Sequence, residues 1–172
     1  MFIAHAPAGY LLTKALFPAT TRNYALLMAT GLFFSIAPDL DLLRFYLASD
    51  RQLPHRVFFT HWPLFWAALS GLAWMVTAVL RKPGWRPFIA VAFANAELHL
   101  VLDTLAGDIY WLAPLSDMSL NLVRVPAAHS WWVWNFLLHW TFALELALCL
   151  AAGRVFYRSR TPMPGERKLS SA

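Results

Sequence analysis

The sequence predicts an all-α integral membrane protein: a helical bundle of four or five transmembrane helices. Three observations carry that expectation. The 172-residue chain is 59% hydrophobic and only 13% charged, where soluble domains carry roughly 25% charged residues. A soluble fold of one domain could not bury so much apolar surface, so lipid is the expected solvent. The apolar residues also come in long runs separated by short basic clusters, and nine tryptophans and five tyrosines suit the interfacial belts of a bilayer.

Five apolar stretches follow one another. The first, residues 2–17, is short and contains His5 and Lys14. The second, 24–37, stops at Pro38, because the residue before a proline is pushed out of the helical region. The third, Val57 to Leu80, is long enough to cross a bilayer alone. The fourth runs from Pro87 to Ala106, with proline suited to the first helical turn. The fifth runs from about Ser130 to Val155, and Trp131, Trp132 and Trp134 near its start read as an interfacial belt. Residues 1–157 are therefore expected to form one membrane-embedded helical domain. Residues 158–172 are expected to form a polar, disordered tail.

Charge orients the bundle. The basic tail, the 81–86 loop and the 18–23 loop fall on one side if every stretch crosses, and that side reads as cytoplasmic. The expected location is the inner (plasma) membrane, multi-pass, with the C-terminus cytoplasmic. The net charge of +5 reads as topology marking rather than nucleic-acid binding, because no nucleic-acid motif accompanies it. Membrane lipids are the expected partners. Cys149 is the only cysteine, so no internal disulfide is expected, and no cleavable leader is evident at the start.

Alternate crossing gathers the chemistry at the outer face. His5, Asp39, Asp41, His55, His61, His99 and Asp103 all fall near the outer ends of their stretches. His99 and Asp103 are four apart, so on a helix they stack one turn apart and can meet one cation. His55 and His61 converge if the third helix begins near Thr60, which could cap it. Asp39 and Asp41 share a side if their segment is extended. An ionisable residue inside a membrane helix costs about 2.5–3.5 kcal/mol on insertion scales. A divalent cation held by imidazole and carboxylate would offset that cost. Zinc is the favoured ion, with manganese or iron as alternatives. Such a cation lowers the pKa of bound water to about 7, which supplies a nucleophile for hydrolysis.

The ordered set of an N-terminal histidine, "PDLD", "HR-x3-TH" and "H-x3-D-x3-G" resembles the YdjM-type family of small inner-membrane proteins, regarded as metal-dependent hydrolases. The resemblance covers about residues 1–115. It implies that His5, Asp39, His61, His99 and Asp103 are metal ligands, and that His55 is a further ligand or an acid–base group. It also implies that Asp41 supports a ligand or acts as general base, and that Arg56 steadies a phosphate through bidentate contacts. A distant similarity of that family to zinc-dependent phospholipase C enzymes would imply phosphoester substrates. Those enzymes carry a later H-x3-E, whereas here His139 and Glu145 are six apart, so one metal is favoured over a larger cluster.

The expectation is a membrane-bound, metal-dependent phosphoesterase acting on a lipid or lipid-linked substrate. The rival is a non-enzymatic metal sensor, transporter or scaffold built on the same His/Asp cluster. Paired-histidine haem binding is disfavoured by the carboxylates, and a transporter by the scarcity of polar residues in the inner halves of the second to fourth stretches.

Overall fold

The computed structural model describes residues 3–41 and 58–160. Among these the chain is helical, with one isolated antiparallel bridge between Ile109 and Leu120 and no strand. Helix α1 (His5–Leu16) takes Pro7 in its first turn, where the missing N–H costs nothing, and stops at Phe17, held extended by the following Pro18. Helix α2 (Tyr24–Phe34) follows Asn23, whose φ of 61° lies in the left-handed region that asparagine tolerates. A 3-10 turn, Ala37–Leu40, continues the chain after α2, and a second, Phe59–His61, precedes α3 (Pro63–Val79), which has proline at its first position. Helix α4 (Arg86–Thr104) comes next, then α5 (Trp132–Leu137) and α6 (Thr141–Arg160).

Helix α4 is the hub: α1, α2 and α3 all pack on it, and α6 packs on α1. Small residues let three helices close up. A methyl group on Gly31 would collide with Thr13 Oγ1, and one on Gly9 would stand 2.5 Å from Ser35 Cβ. Asn95, fully buried, fills the seam they leave by donating to Thr13 Oγ1 at 3.1 Å and to the Val91 carbonyl at 2.8 Å. The apolar core is small: Ala37, Trp66, Ala96, Leu100 and Ile109. The loop after α4 covers it, tied down by Trp111 Nε1 donating to Thr104 Oγ1 and by the Leu122 N–H donating to the Thr104 carbonyl.

Among the described residues, polar side chains are buried as often as apolar ones. His5, Thr13, Ser35, Asn95, His99, Asp103 and Glu145 are buried. Leu69, Leu72, Met75 and Val76 on α3, and Leu144, Leu146 and Leu150 on α6, are exposed.

Several expectations change. The fifth stretch is two helices, because residues 138–140 break it between α5 and α6. Helix α6 runs on to Arg160, three residues into the expected tail, and residues 161–172 lie outside those described. No helix among the described residues is long and apolar enough to cross a membrane. Helix α3 has 17 residues, about 25 Å at 1.5 Å per residue, and α4 carries Arg86, Glu97 and Asp103 within its 19 residues.

Candidate metal centre

Four segments bring side chains to one end of the bundle: the turn after α2, the turn before α3, the C-terminal part of α4 and the first residue of α1. The α4 spacing acts as anticipated. His99 and Asp103 lie one turn apart, with His99 Nε2 at 3.9 Å from Asp103 Oδ2. Asp39 Oδ1 stands 3.6 Å from both His99 Nε2 and His61 Nε2, and His61 Nε2 stands 4.0 Å from Asp103 Oδ2. One ligand atom from each of Asp39, His61, His99 and Asp103 lies within 4.8 Å of the other three. Ligand distances of about 2.0–2.2 Å give a tetrahedron with N···O edges of about 3.3–3.6 Å. The four N···O edges run from the top of that range to 4.0 Å, so the donor set suits a small cation after a slight inward shift.

The histidines are oriented for this role from behind. His99 Nδ1 lies 2.9 Å from the Ser35 carbonyl, which can only accept, so Nδ1 carries the hydrogen and Nε2 turns its lone pair toward the carboxylates. Nε2 is buried and has no hydrogen-bond partner, a costly state that a bound cation relieves. His61 Nδ1 donates to Asp41 Oδ2 at 2.8 Å, the carboxylate–histidine pairing that fixes ligand tautomers at metal sites. Thr60 Oγ1 donates to the same Asp41 oxygen at 2.9 Å.

Asp39 and Asp41 therefore work differently from an extended pair. Their segment is a 3-10 turn, and the two carboxylates meet opposite nitrogens of one imidazole. Thr60 caps no helix; its hydroxyl serves Asp41 instead. Asp41 is buried behind His61, the place of a positioning group. Asp39 is the accessible member, 28% exposed where the other three ligands are almost fully buried.

These two 3-10 turns lie outside the long helices, and charge is shared between them. Burial works to raise the Asp39 pKa, but the His61 and His99 rings beside it hold it well below the usual carboxylate range. Burial works against the His61 imidazolium, but Asp39 and Asp41 outweigh it and push its pKa up to about 9.

His5 stands one layer back from the four converging atoms. Its Nε2 lies 3.2 Å from Asp103 Oδ1, and its ring stacks on His99 with centroids 3.7 Å apart. It thus touches Asp103 Oδ1, while His61 and His99 approach Oδ2. His55 and Arg56 lie outside the described residues. His129 and His139 serve the segment around α5: the His129 backbone N–H donates to Asn135 Oδ1 at 2.7 Å, and His139 Nδ1 meets Thr141 Oγ1 at 3.0 Å. Glu145 accepts a hydrogen bond from the Ile3 N–H at 2.7 Å, two residues before His5.

Sequence reasoning missed the Ser35 carbonyl, for which side-chain patterns hold no signal. It also missed Asn95, for which a signal existed: Asn95, His99 and Asp103 recur every four residues on one face of α4. The polar column reaches Thr13 through Asn95 and meets buried Val91 one turn further on.

No curated protein and no solved structure shows significant similarity to the chain. The model of the YdjM inner membrane protein family matches residues 1–163, well beyond the 115 residues whose motifs are legible by eye. The chain belongs to the YdjM inner membrane protein family.

Proposed function

We propose that this protein is a multi-pass membrane metalloenzyme that hydrolyses a phosphoester in a lipid or lipid-linked substrate. The observation that carries the reading is the convergence of two carboxylates and two imidazoles on one point, with Asp39 on the accessible side. Exposed leucines around a polar interior support the membrane setting, and short helices are accommodated by local thinning of the bilayer. Asp39, His61, His99 and Asp103 would hold the cation, zinc being favoured by the mixed N and O donors. When bound, it would lower the pKa of a coordinated water to about 7. Asp41 and Ser35 hold the two imidazoles in the ligating tautomer, and Asp39 borders the side from which water and substrate enter. Arg56, five residues before His61, is the candidate phosphate contact, and His55 the candidate proton carrier. The metal end faces outward and the basic end faces the cytoplasm in this reading.

Metal analysis and phosphodiesterase assays on protein purified in mild detergent test it. About one zinc per chain, lost together with hydrolysis in His99→Ala and Asp39→Ala, is the expected result. Wild-type protein without metal ends the reading. A second reading has its own support: four protein ligands make the closed set typical of structural zinc. Stoichiometric metal with no hydrolysis of any phosphoester would favour this metal-holding role.

A further inference from the structure

The opposite end of the bundle holds a second constructed feature. The α1–α2 loop and the α3–α4 loop border a half-open cavity of about 640 Å³. Arg22, Arg81 and Lys82 line it, over a floor that includes Leu26, Leu27 and Phe88. None of the three cations makes an ion pair with a described residue. At its rim Trp85 also walls an apolar groove of about 410 Å³ between α3 and α4, lined by Leu69, Leu72, Val76 and Ile89. The basic pocket and the largely apolar groove thus share Trp85 as a wall.

The backbone adds an independent observation. Helix α3 ends in a Schellman turn: the Lys82 N–H bonds the Thr77 carbonyl at 2.8 Å, and the Arg81 N–H bonds the Ala78 carbonyl at 3.1 Å. The residue that this turn places in the left-handed region is normally glycine. Here it is Arg81, with φ of 52°. A long β-carbon-bearing side chain is strained there. The strain secures no intramolecular ion pair; it presents a guanidinium to the cavity beside Lys82. The turn's two hydrogen bonds account for the left-handed backbone; the use of arginine there in place of glycine is what points to a ligand.

We propose that this cavity and groove bind one anionic phospholipid, its phosphate held by Arg22, Arg81 and Lys82 and one acyl chain lying along the α3–α4 groove past Trp85. A guanidinium suits phosphate oxygens, and tryptophan suits the level where headgroup meets chain. The occupant is a lipid rather than a free anion because Trp85 lines both the basic cavity and the apolar groove. The site lies at the end of the bundle away from the metal centre. The inference rests on the membrane reading above and not on hydrolysis.

Native mass spectrometry of the full chain in a neutral detergent tests it, with phosphatidylglycerol and phosphatidylcholine of matched chains as probes. Wild type should retain phosphatidylglycerol at least tenfold better. Each cation removed, in Arg81→Gly or in the double variant Arg22→Gln with Lys82→Gln, should cost about fivefold. Arg81→Gly should melt no lower than wild type, because glycine relaxes the turn. Millimolar inorganic phosphate should not displace the lipid. Equal retention of the two lipids, unchanged retention in both variants, or displacement by phosphate would each overturn the proposal. Release of wild type from membranes by alkaline carbonate would overturn the membrane reading as well. Firm membrane attachment without lipid preference would overturn the lipid site alone.

Discussion

The two ends of the bundle handle charge in opposite ways. At the metal end, Asp39, Asp41, Asp103, His61 and His99 are mostly buried and face one another at 2.8–4.0 Å. At the other end, Arg22, Arg81 and Lys82 are exposed and share a cavity without a carboxylate. Buried charge has to be paired within the fold or with an ion, since desolvation alone costs several kcal/mol. Exposed cations at a membrane surface need no internal partner and act on what approaches. The first arrangement specifies a ligand by geometry, the second by charge and greasiness. Losses should therefore be steep and all-or-none at the metal end, and graded at the basic end.

The steepest loss should come from the ligands. His99→Ala and Asp103→Ala each remove a donor from a four-atom set. Both should purify without stoichiometric zinc, measured by plasma mass spectrometry. Retention of zinc in both would place the ion elsewhere and dissolve the contrast between the ends.

Asp41→Asn should come next. Asparagine keeps the size but weakens the hold on His61 Nδ1–H. Removing such a partner behind a ligand typically costs 10–100-fold in metal affinity. Competition titration with a zinc chelator reads this directly. A loss as complete as that of His99→Ala would make Asp41 a ligand, and no loss would make its bond to His61 incidental.

Acidity should act by smaller steps. With the His61 pKa pushed up to about 9, the metal-free site carries an imidazolium at neutral pH. A cation must displace that proton, so affinity should rise about tenfold per pH unit up to about pH 9 and then flatten. The same shift sets the stability of the metal-free protein. A histidine whose pKa is raised on folding contributes fully below pH 6.5, and the contribution is lost as pH climbs through about 9. Metal-free protein should therefore melt lower at pH 9.5 than at pH 6 by this term, read by calorimetry in chelator. Zinc affinity independent of pH between 6.5 and 8.5 would break the link between the site's charge pairing and its ligand.

What could be read beforehand follows the range of the interactions. The helix at 86–104 and the His99–Asp103 pair were legible because helical period alone sets them. The helix start near Pro87 was legible because proline acts locally, whereas the third helix begins at Pro63 and not near Thr60. The opposed approach of Asp39 and Asp41 to one ring was not, because a 3-10 turn and an extended segment look alike in a five-residue window. The break at 138–140 carries no proline or glycine to signal it, and Leu138 and Trp140 suit a helix as well as its interruption. The place of His5 depends on how α1 lies across α4, which no spacing encodes.

His5 also defines the smallest and most diagnostic effect. Glu145 holds the Ile3 N–H at 2.7 Å, and residue 3 leads directly into His5. Glutamine at 145 keeps an acceptor oxygen, so Glu145→Gln should preserve this tether, whereas Glu145→Ala removes it. Leaving a buried donor without its acceptor costs about 1–3 kcal/mol, so Ala should lower stability by about that amount and Gln by less than half of it. Zinc affinity should respond much less, by under about threefold for either variant by the additivity of separated sites. The reason is geometric: His5 meets Asp103 at Oδ1, while His61 and His99 approach it at Oδ2. Chelator titration of the two variants beside thermal melts separates the two consequences. A tenfold or greater loss of zinc affinity in Glu145→Ala, recovered in Glu145→Gln, would bring His5 into the ligand set and extend the metal end of the molecule to the start of its chain.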